Sequence, residues 1–256
     1  MKTYTAEKLT EILDQHELWL ANPETGERAD LSGADLSNVT LCGVNLSDAH
    51  LAGINLKGAQ LFALNLKGAN LSGADLSDSL LVGLDFSGAN LSRANLSGAT
   101  LKGADLYRVD LSFANLYKAN LSGVNLYRAN LSNANLKGAI LFRATLSDAN
   151  LCQANLSGSS LSRATLKGAY LVGVNLSDAI LRCADLSHAD LSGVNLYRAD
   201  LSGVNFTGAN LYCADFTGAT LKDTNFFGAR LHFANLHDVD LSQANLSEAE
   251  GIDRPR

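Results

Sequence analysis

The sequence predicts an all-β solenoid, a chain that turns a corner at regular intervals and winds back over itself. From Leu31 to Leu246, every fifth residue is apolar, and these 44 central positions hold 40 Leu and 4 Phe. The neighbours are nearly as regular, with Ala or another small residue, occasionally Val, Ile or Leu, two places before each centre and usually Asn or Asp one place before it. The phrase is A-(D/N)-L-x-x, and self-similarity at a fixed period is typical of solenoids.

A period of five excludes the ordinary secondary structures. On an α-helix, a step of five residues rotates the side chain by roughly 140°, so the leucines would point in every direction. On a flat strand, an odd step sends successive leucines to opposite faces. A chain that bends once per repeat can instead keep every centre inside. The small residue at i−2 then also points inward, and positions i−1, i+1 and i+2 face solvent or the corner.

Phrases such as ADLSGADLSNV and ANLSGVNLYRANLSNANL resemble those of the pentapeptide-repeat proteins. The resemblance covers about 220 of the 256 residues. It implies a right-handed, four-sided parallel β-helix with four repeats per coil, so that residues 20 apart stack. About eleven coils at roughly 4.8 Å spacing would give a rod on the order of 50 Å long. Asparagine suits this fold because its amide can donate to one coil and accept from the next, whereas stacked aspartates would repel each other.

The predicted organisation is an N-terminal helix and linker (1–28), the repeat β-helix (29–250) and a short tail (251–256). Residues 5–20 change period, so that apolar residues fall on one helical face. Thr5 can cap the start of this helix, and Asn22-Pro23 and Gly26 end it. We expect the helix to cover the first coil, with His16 packed at the junction. A helix that binds a partner is the alternative interpretation.

Composition and cysteine usage predict a soluble, cytoplasmic protein. The N-terminus lacks a signal-peptide core, and no apolar run approaches the roughly 20 residues that span a bilayer. Cys42 and Cys183 fall on one predicted face and Cys152 and Cys213 on another, with no two stacked and none at metal-ligand spacing. Free thiols scattered over a surface suit a reducing compartment.

Charge divides the rod into three parts, although the net charge is −6. Residues 93–143 carry seven Lys and Arg against two Asp, whereas the segments on either side are acidic. This basic girdle interrupts the continuous acidic face that a DNA-mimicking rod would need. The acidic flanks also argue against direct nucleic-acid binding.

Two sets of surface residues are candidates for binding a partner. On one face, Tyr107-Arg108 and Tyr127-Arg128 stack 20 residues apart, a composition typical of interaction hot spots, although tyrosine also stacks well in a flat ladder. The second set consists of apolar residues at outward positions of another face: Phe62, Leu80, Val82, Ile140, Phe142 and Ile180. An exposed apolar patch usually marks a contact surface, unless the N-terminal segment covers it or it only stiffens the ladder. Stacked Tyr212, His232 and Phe233 are weaker candidates.

The sequence contains no catalytic, metal-binding or cofactor-binding motif. It therefore favours a non-enzymatic rod that presents flat faces to a protein partner. The alternatives are a DNA-mimicking regulator or protector of DNA gyrase, and a purely structural spacer. The resemblance also suggests a homodimer through the C-terminal coils, near Phe226 to Leu246, because gyrase-protecting members of the family dimerise there.

Overall fold

The computed structural model describes residues 2–252, which form one helix followed by a stack of coils. Helix α1 spans Ala6–Ala21. Strands β1 (Thr40–Cys42) and β2 (Gln60–Phe62) pair in parallel, with Leu41 opposite Leu61. Elsewhere in the described repeats, except between residues 220 and 240, single parallel bridges join the coils, because each flat segment is too short to be a longer strand.

Residues 20 apart stack, as predicted. The bridges run from Asp30↔His50 to Arg230↔Glu250 with this same separation. Each coil turns four corners at left-handed residues in position i+2, illustrated by Gly33, Asn38, Gly43 and Asp48. The coil therefore has four faces. We name them A, B, C and D by four consecutive central residues, which are Leu61, Leu66, Leu71 and Leu76.

The interior is a continuous apolar column. From Leu46 to Leu231 every central residue is buried, and the small residues at i−2 fill the space beside them. Near the C-terminal end three phenylalanines pack together, with ring centroids of Phe206 and Phe226 5.2 Å apart and Phe216 edge-on to both. Burying each such side chain stabilises the fold by roughly 1.5–3 kcal/mol before chain entropy is subtracted.

The Asn and Asp side chains at i−1 make hydrogen bonds both within their own repeat and between coils. Their side-chain oxygen accepts a hydrogen bond from the backbone N–H two residues later, as Asn115 does from Tyr117 at 3.3 Å. Asparagines also donate to the preceding coil: Asn115 donates to Asn95, and Asn95 donates to Asp75. Single aspartates therefore fit this ladder, because Asp can take the acceptor end of a chain of amides.

Helix α1 is present where the sequence predicts it. Thr5 is the N-cap, its hydroxyl accepting from the Lys8 N–H at 3.2 Å, and Asn22 is the C-cap. Leu9, Ile12 and Leu13 are partly buried against the apolar column. Extended residues before the helix also pair with the first coil, since Lys2 exchanges backbone hydrogen bonds with residues 33 and 35.

The helix covers only part of the first coil. Leu31 and Ala34 lie under it with 1% and 0% exposure. On face A, however, Val39 and Leu41 stay only partly buried, as does Val44 at the start of face B. The predicted cap thus leaves the face A edge of the rod open. Of the predicted tail (251–256), residues 253–256 lie outside the described residues.

Candidate interaction surfaces

The predicted Tyr/Arg cluster forms on face B. The rings of Tyr107 and Tyr127 stack with centroids 6.0 Å apart and planes 21° from parallel. The Arg108 guanidinium lies 5.6 Å from the centroid of Tyr107, and that of Arg128 lies 5.1 Å from Tyr127. Both arginines occupy the left-handed corner, with φ of 54° and 58°, which turns their side chains beside the preceding ring.

The neighbouring coils limit what this cluster offers a ligand. Asp148, one coil further on, lies 3.5 Å from the Arg128 guanidinium and partly neutralises it. On the other side, the small residues Ser87 and Gly88 leave a shallow recess of about 260 Å³ between Lys67 and the Tyr107 side chain. The cluster is therefore an exposed aromatic and cationic ridge rather than an enclosed pocket.

Pairs of a ring and a cation recur on every face; the adjacent Tyr-Lys and Tyr-Arg pairs are visible in the sequence, whereas the two phenylalanine pairs were not predicted. Lys118 lies over Tyr117, Arg198 over Tyr197, Arg143 over Phe142 and Arg93 over Phe113, with cation-to-centroid distances of 5.2–5.9 Å. Each exposed pair contributes about 0.5–1 kcal/mol. The spacing could have found them, because positions i+1 and i+2 flank the same corner, and Arg93 and Phe113 occupy the same corner position in adjacent coils. Their recurrence makes the face B cluster less distinctive.

The predicted apolar residues lie together on face A. Phe62, Val82, Phe142, Ile140 and Ile180 are each 38–45% exposed, and Leu80 is half-buried. They form two groups: Phe62, Leu80 and Val82 on adjacent coils, and Ile140, Phe142 and Ile180 further along. The N-terminal segment leaves Phe62 and Val82 exposed, so the interpretation that it covers them is wrong.

Face A also differs from the other faces in its polar residues. On faces B, C and D the column at i−1 is mostly Asn and Asp, whereas on face A only Asn120, Asp200 and Asp240 continue that pattern. Face A therefore lacks the amide ladder over most of its length. Apolar residues, threonine, serine and glutamine replace it.

The third predicted set lies on face C near the C-terminal end. Tyr212 and Phe233 meet edge-to-face with ring centroids 5.4 Å apart. Phe233 is 77% exposed, more than any other large apolar residue described. His232 lies beside them, and together with Gly251 and Ile252 it lines a shallow recess.

His16 is packed at the junction of α1 and the first coil, as expected, and is fully buried. Its Nδ1 accepts a hydrogen bond from the Ala29 N–H at 3.1 Å, and its ring stacks on Trp19 at 5.5 Å. Nε2 has no hydrogen-bond partner among the described residues. Burial lowers the pKa of His16; the Ser47 backbone opposes this shift to a smaller extent, and the nearby positive charge of Arg28 adds to it.

The described residues hold no group of three or more His, Cys, Asp or Glu side chains that could bind a metal. The four cysteines are free, and Cys42, Cys183 and Cys213 are exposed. No helix between residues 2 and 252 has the length and apolar character needed to cross a bilayer.

Comparisons with known proteins agree with this architecture. A family model for pentapeptide repeats matches overlapping segments from residue 27 to residue 250. The crystal structure of HetL, a pentapeptide-repeat protein involved in heterocyst differentiation regulation in the cyanobacterium Nostoc sp. strain PCC 7120, is similar with a TM-score of 0.65. It is 33% identical, and the match covers 91% of this chain and 96% of HetL.

Two other solved structures match with TM-scores below 0.5, and we draw no argument from them. A pentapeptide-repeat protein of the Arabidopsis thaliana thylakoid lumen is 38% identical over 37% of this chain and 66% of its own, with a TM-score of 0.36. QnrB1, a plasmid-mediated fluoroquinolone resistance protein, is 22% identical over 84% of this chain and 90% of its own, with a TM-score of 0.38. No curated protein sequence matches the chain.

Proposed function

Because the chain belongs to the pentapeptide-repeat family, with its right-handed β-helix, we propose that it is a non-enzymatic interaction protein. The β-helix, about eleven coils long if 222 repeat residues are divided by 20, acts as a stiff support. The segment 1–28 caps one end. Face A presents the contact surface to a protein partner, and the cytoplasm is the proposed location.

The observation that carries this proposal is the exposed apolar set on face A. Five of its six residues are 38–45% exposed on a flat wall at positions i−1 and i+1, which are mostly polar on the other faces. Clustered apolar side chains of this kind mark contact surfaces more often than isolated ones do. HetL, the relative with the highest structural similarity reported above, is described as involved in regulation, a role that names no catalysed reaction.

A quantitative capture experiment tests the proposal. The full-length chain, immobilised through its N-terminus, is exposed to lysate of its source organism, and bound proteins are measured by mass spectrometry. We expect a double variant, Phe62→Asp with Phe142→Asp, to capture at least tenfold less of a specific partner than the wild type does. The matched control, Phe113→Asp with Phe233→Asp, places the same charges at exposed phenylalanines of face C and should retain it.

Two outcomes would contradict the proposal. If both double variants retain the same proteins, face A is not the contact surface and the spacer interpretation is favoured. If only the face C variant loses them, the contact surface is at Phe113 or Phe233. Circular dichroism of each variant must show the wild-type signal, so that loss of binding is not loss of fold.

We do not extend the proposal to a DNA-mimicking regulator, because face A and the basic girdle both break up the acidic surface it requires. Cations of the girdle lie on all four faces, with Lys102 on A, Arg108 on B, Arg93 on C and Lys118 on D. A supercoiling assay with purified gyrase and a quinolone drug gives a direct check. We expect no protection at low micromolar protein.

A further inference from the structure

Face A has no acidic residue over most of its length. Its three outward columns, at i−1, i+1 and i+2, contain neither Asp nor Glu from Thr40 to Cys183, and the first carboxylate on this face is Asp200. The same stretch contains four cations, which are Lys102, Arg143, Arg163 and Arg182. This is unexpected in a chain with a net charge of −6.

Most of these cations also lack a carboxylate partner. On face B Arg128 pairs with Asp148, and on face D Arg198 pairs with Asp178 at 3.6 Å. On face A only Arg182 is paired, with Asp200 at 2.5 Å. Among the described residues, Lys102, Arg143 and Arg163 form no ion pair.

The columns that border face A place no carboxylate in the coil of Arg143 or Arg163 on the face B side. Beyond the corner that holds these arginines, the adjacent column of face B contains Thr145 and Thr165 there, whereas its carboxylates, Asp85, Asp105 and Asp185, lie in other coils, Asp105 in that of Lys102 and Asp185 in that of Arg182. At the opposite corner, the face D column contributes Asp78 and Asp178, and Asp178 is engaged by Arg198. Face A is therefore locally positive around Arg143 and Arg163, and these cations are interspersed with Ile140, Phe142 and Ile180.

We propose that face A binds an acidic amphipathic helix of the partner, lying along the rod axis. This inference rests on the proposed function and specifies its partner. The helix would place its apolar stripe on the two apolar groups of face A and its carboxylates beside Lys102, Arg143 and Arg163. Opposite charge on the two surfaces would favour the encounter and fix the orientation.

The dimensions of face A fit a helix. Val82 and Phe142 are three coils apart, or about 14 Å, and Phe62 and Arg182 are six coils apart, or about 29 Å. At 1.5 Å per residue these distances correspond to roughly 10 and 20 residues of α-helix. A single helix of about 20 residues, with apolar clusters about ten residues apart, therefore reaches both groups. The contact is smaller than a standard interface, so we expect a dissociation constant of about 10 µM.

A peptide-binding measurement tests this. The probe is a fluorescent 20-residue peptide of Glu, Ala and Leu, with Leu clusters ten residues apart, made in three registers of the Leu pattern. Its counterpart replaces every Glu with Lys. By fluorescence anisotropy, the full-length protein should bind at least one acidic register and none of the lysine peptides, and binding should weaken as salt is raised.

Matched charge reversals locate the site. Lys102→Glu with Arg163→Glu on face A should weaken binding at least tenfold. Lys57→Glu with Lys137→Glu makes the same change in net charge at exposed positions of face D and should alter binding less than twofold. Similar losses in both variants would overturn the proposal, because the attraction would then follow net charge rather than face A.

Three further results would also overturn it. The first is that the lysine peptides bind as tightly as the acidic peptides. The second is that none of the three acidic registers binds at about 100 µM, tenfold above the expected dissociation constant. The third is that the protein binds phosphatidylglycerol vesicles but no peptide. The last result would identify an anionic lipid surface instead. If no peptide binds while partner capture still depends on Phe62 and Phe142, the helix inference fails and the proposed function stands. If capture is insensitive to both residues, the proposed function fails.

Discussion

The two ends of the rod bury the same kind of residue to different degrees. At the N-terminal end, Leu31 lies between α1 and the next coil and is 1% exposed. At the C-terminal end, Leu236 and Leu241 are only partly buried, because no further coil or helix covers them among the described residues. The repeat phrase is identical at the two ends. A central leucine is therefore buried by what lies on both sides of its coil, not by its own repeat.

Face A at the N-terminal end refines this comparison. Strand β2 of the next coil covers one side of Leu41, but α1 does not bury the other side. Leu41 is therefore only partly buried, like the C-terminal leucines. One end of the rod thus combines covered and uncovered edges. An uncovered parallel edge is a site where another chain can pair.

Truncation of leucines at the two ends should give the largest difference. Leu31→Ala leaves a cavity under α1 and is expected to lower the free energy of unfolding by about 3 kcal/mol, whereas Leu241→Ala should cost about 1 kcal/mol. Urea unfolding followed by circular dichroism measures both. Equal losses would mean that the C-terminal edge is covered in solution, as the proposed end-to-end dimer requires.

Pairing of two chains through their C-terminal coils can also be tested directly. Small-angle scattering over a concentration series should show a mass that doubles if the C-terminal coils pair. Leu241→Glu, which places a charge at that edge, should then keep the chain monomeric, and Leu41→Glu at the other end serves as the control. A monomer in all three proteins at tens of micromolar would contradict end-to-end pairing.

The capped end should weaken in acid. Because the pKa of His16 is lowered in the folded chain, the unfolded state takes up the proton first as pH falls. Docking of α1 is therefore fully stable above the unfolded value of about 6.5 and loses stability as pH falls below it. Protonation of Nδ1 would also end its hydrogen bond with the Ala29 N–H.

Trp19, the only tryptophan, reports this directly because it stacks on His16. In the wild type we expect its emission to shift towards the red between about pH 7.5 and pH 5.5 as the cap loosens. His16→Gln keeps an acceptor for Ala29 but cannot titrate, and its emission should change little over that range. A wild-type shift preserved in His16→Gln would assign it to another group.

Removal of the helix N-cap should have the smallest effect. Thr5→Ala loses the bond to the Lys8 N–H and should destabilise α1 by about 1 kcal/mol. Thr10→Ala is a suitable control, because Thr10 is exposed within the helix and alanine has the higher helix propensity. On heating, the shift of Trp19 emission should occur at a lower temperature in Thr5→Ala than in the wild type, and at an unchanged temperature in Thr10→Ala. If neither variant moves it, contacts with the first coil alone hold the helix.

The sequence was sufficient for the interior and insufficient for the surfaces. Period five and the stacking of residues 20 apart follow from the leucines, and helix α1 follows from its change of period and from Thr5. The extent of the cap does not, because the exposure of Leu41 depends on the direction in which α1 crosses the coil. No local pattern records that direction.

The candidate surfaces were predicted in part for a similar reason. The positions of Phe62 and Phe142 on one face follow from the period, and their exposure follows from the absence of a covering segment. The pairing of Arg143 with the Phe142 ring needs the corner geometry, in which a left-handed residue brings neighbouring side chains together. The absence of Asp and Glu from most of face A is visible in the sequence only after the residues are assigned to the four faces.

The equivalence of the four corners has a consequence for how such a chain can change length. Insertion of one five-residue unit would leave the packed column intact, yet every downstream side chain would move by a quarter turn around the axis. If the unit were inserted between Phe62 and Ile140, then Ile140, Phe142 and Ile180 would no longer lie on the same face as Phe62. Duplications of whole coils preserve a binding wall, whereas shorter ones redistribute it among its neighbours.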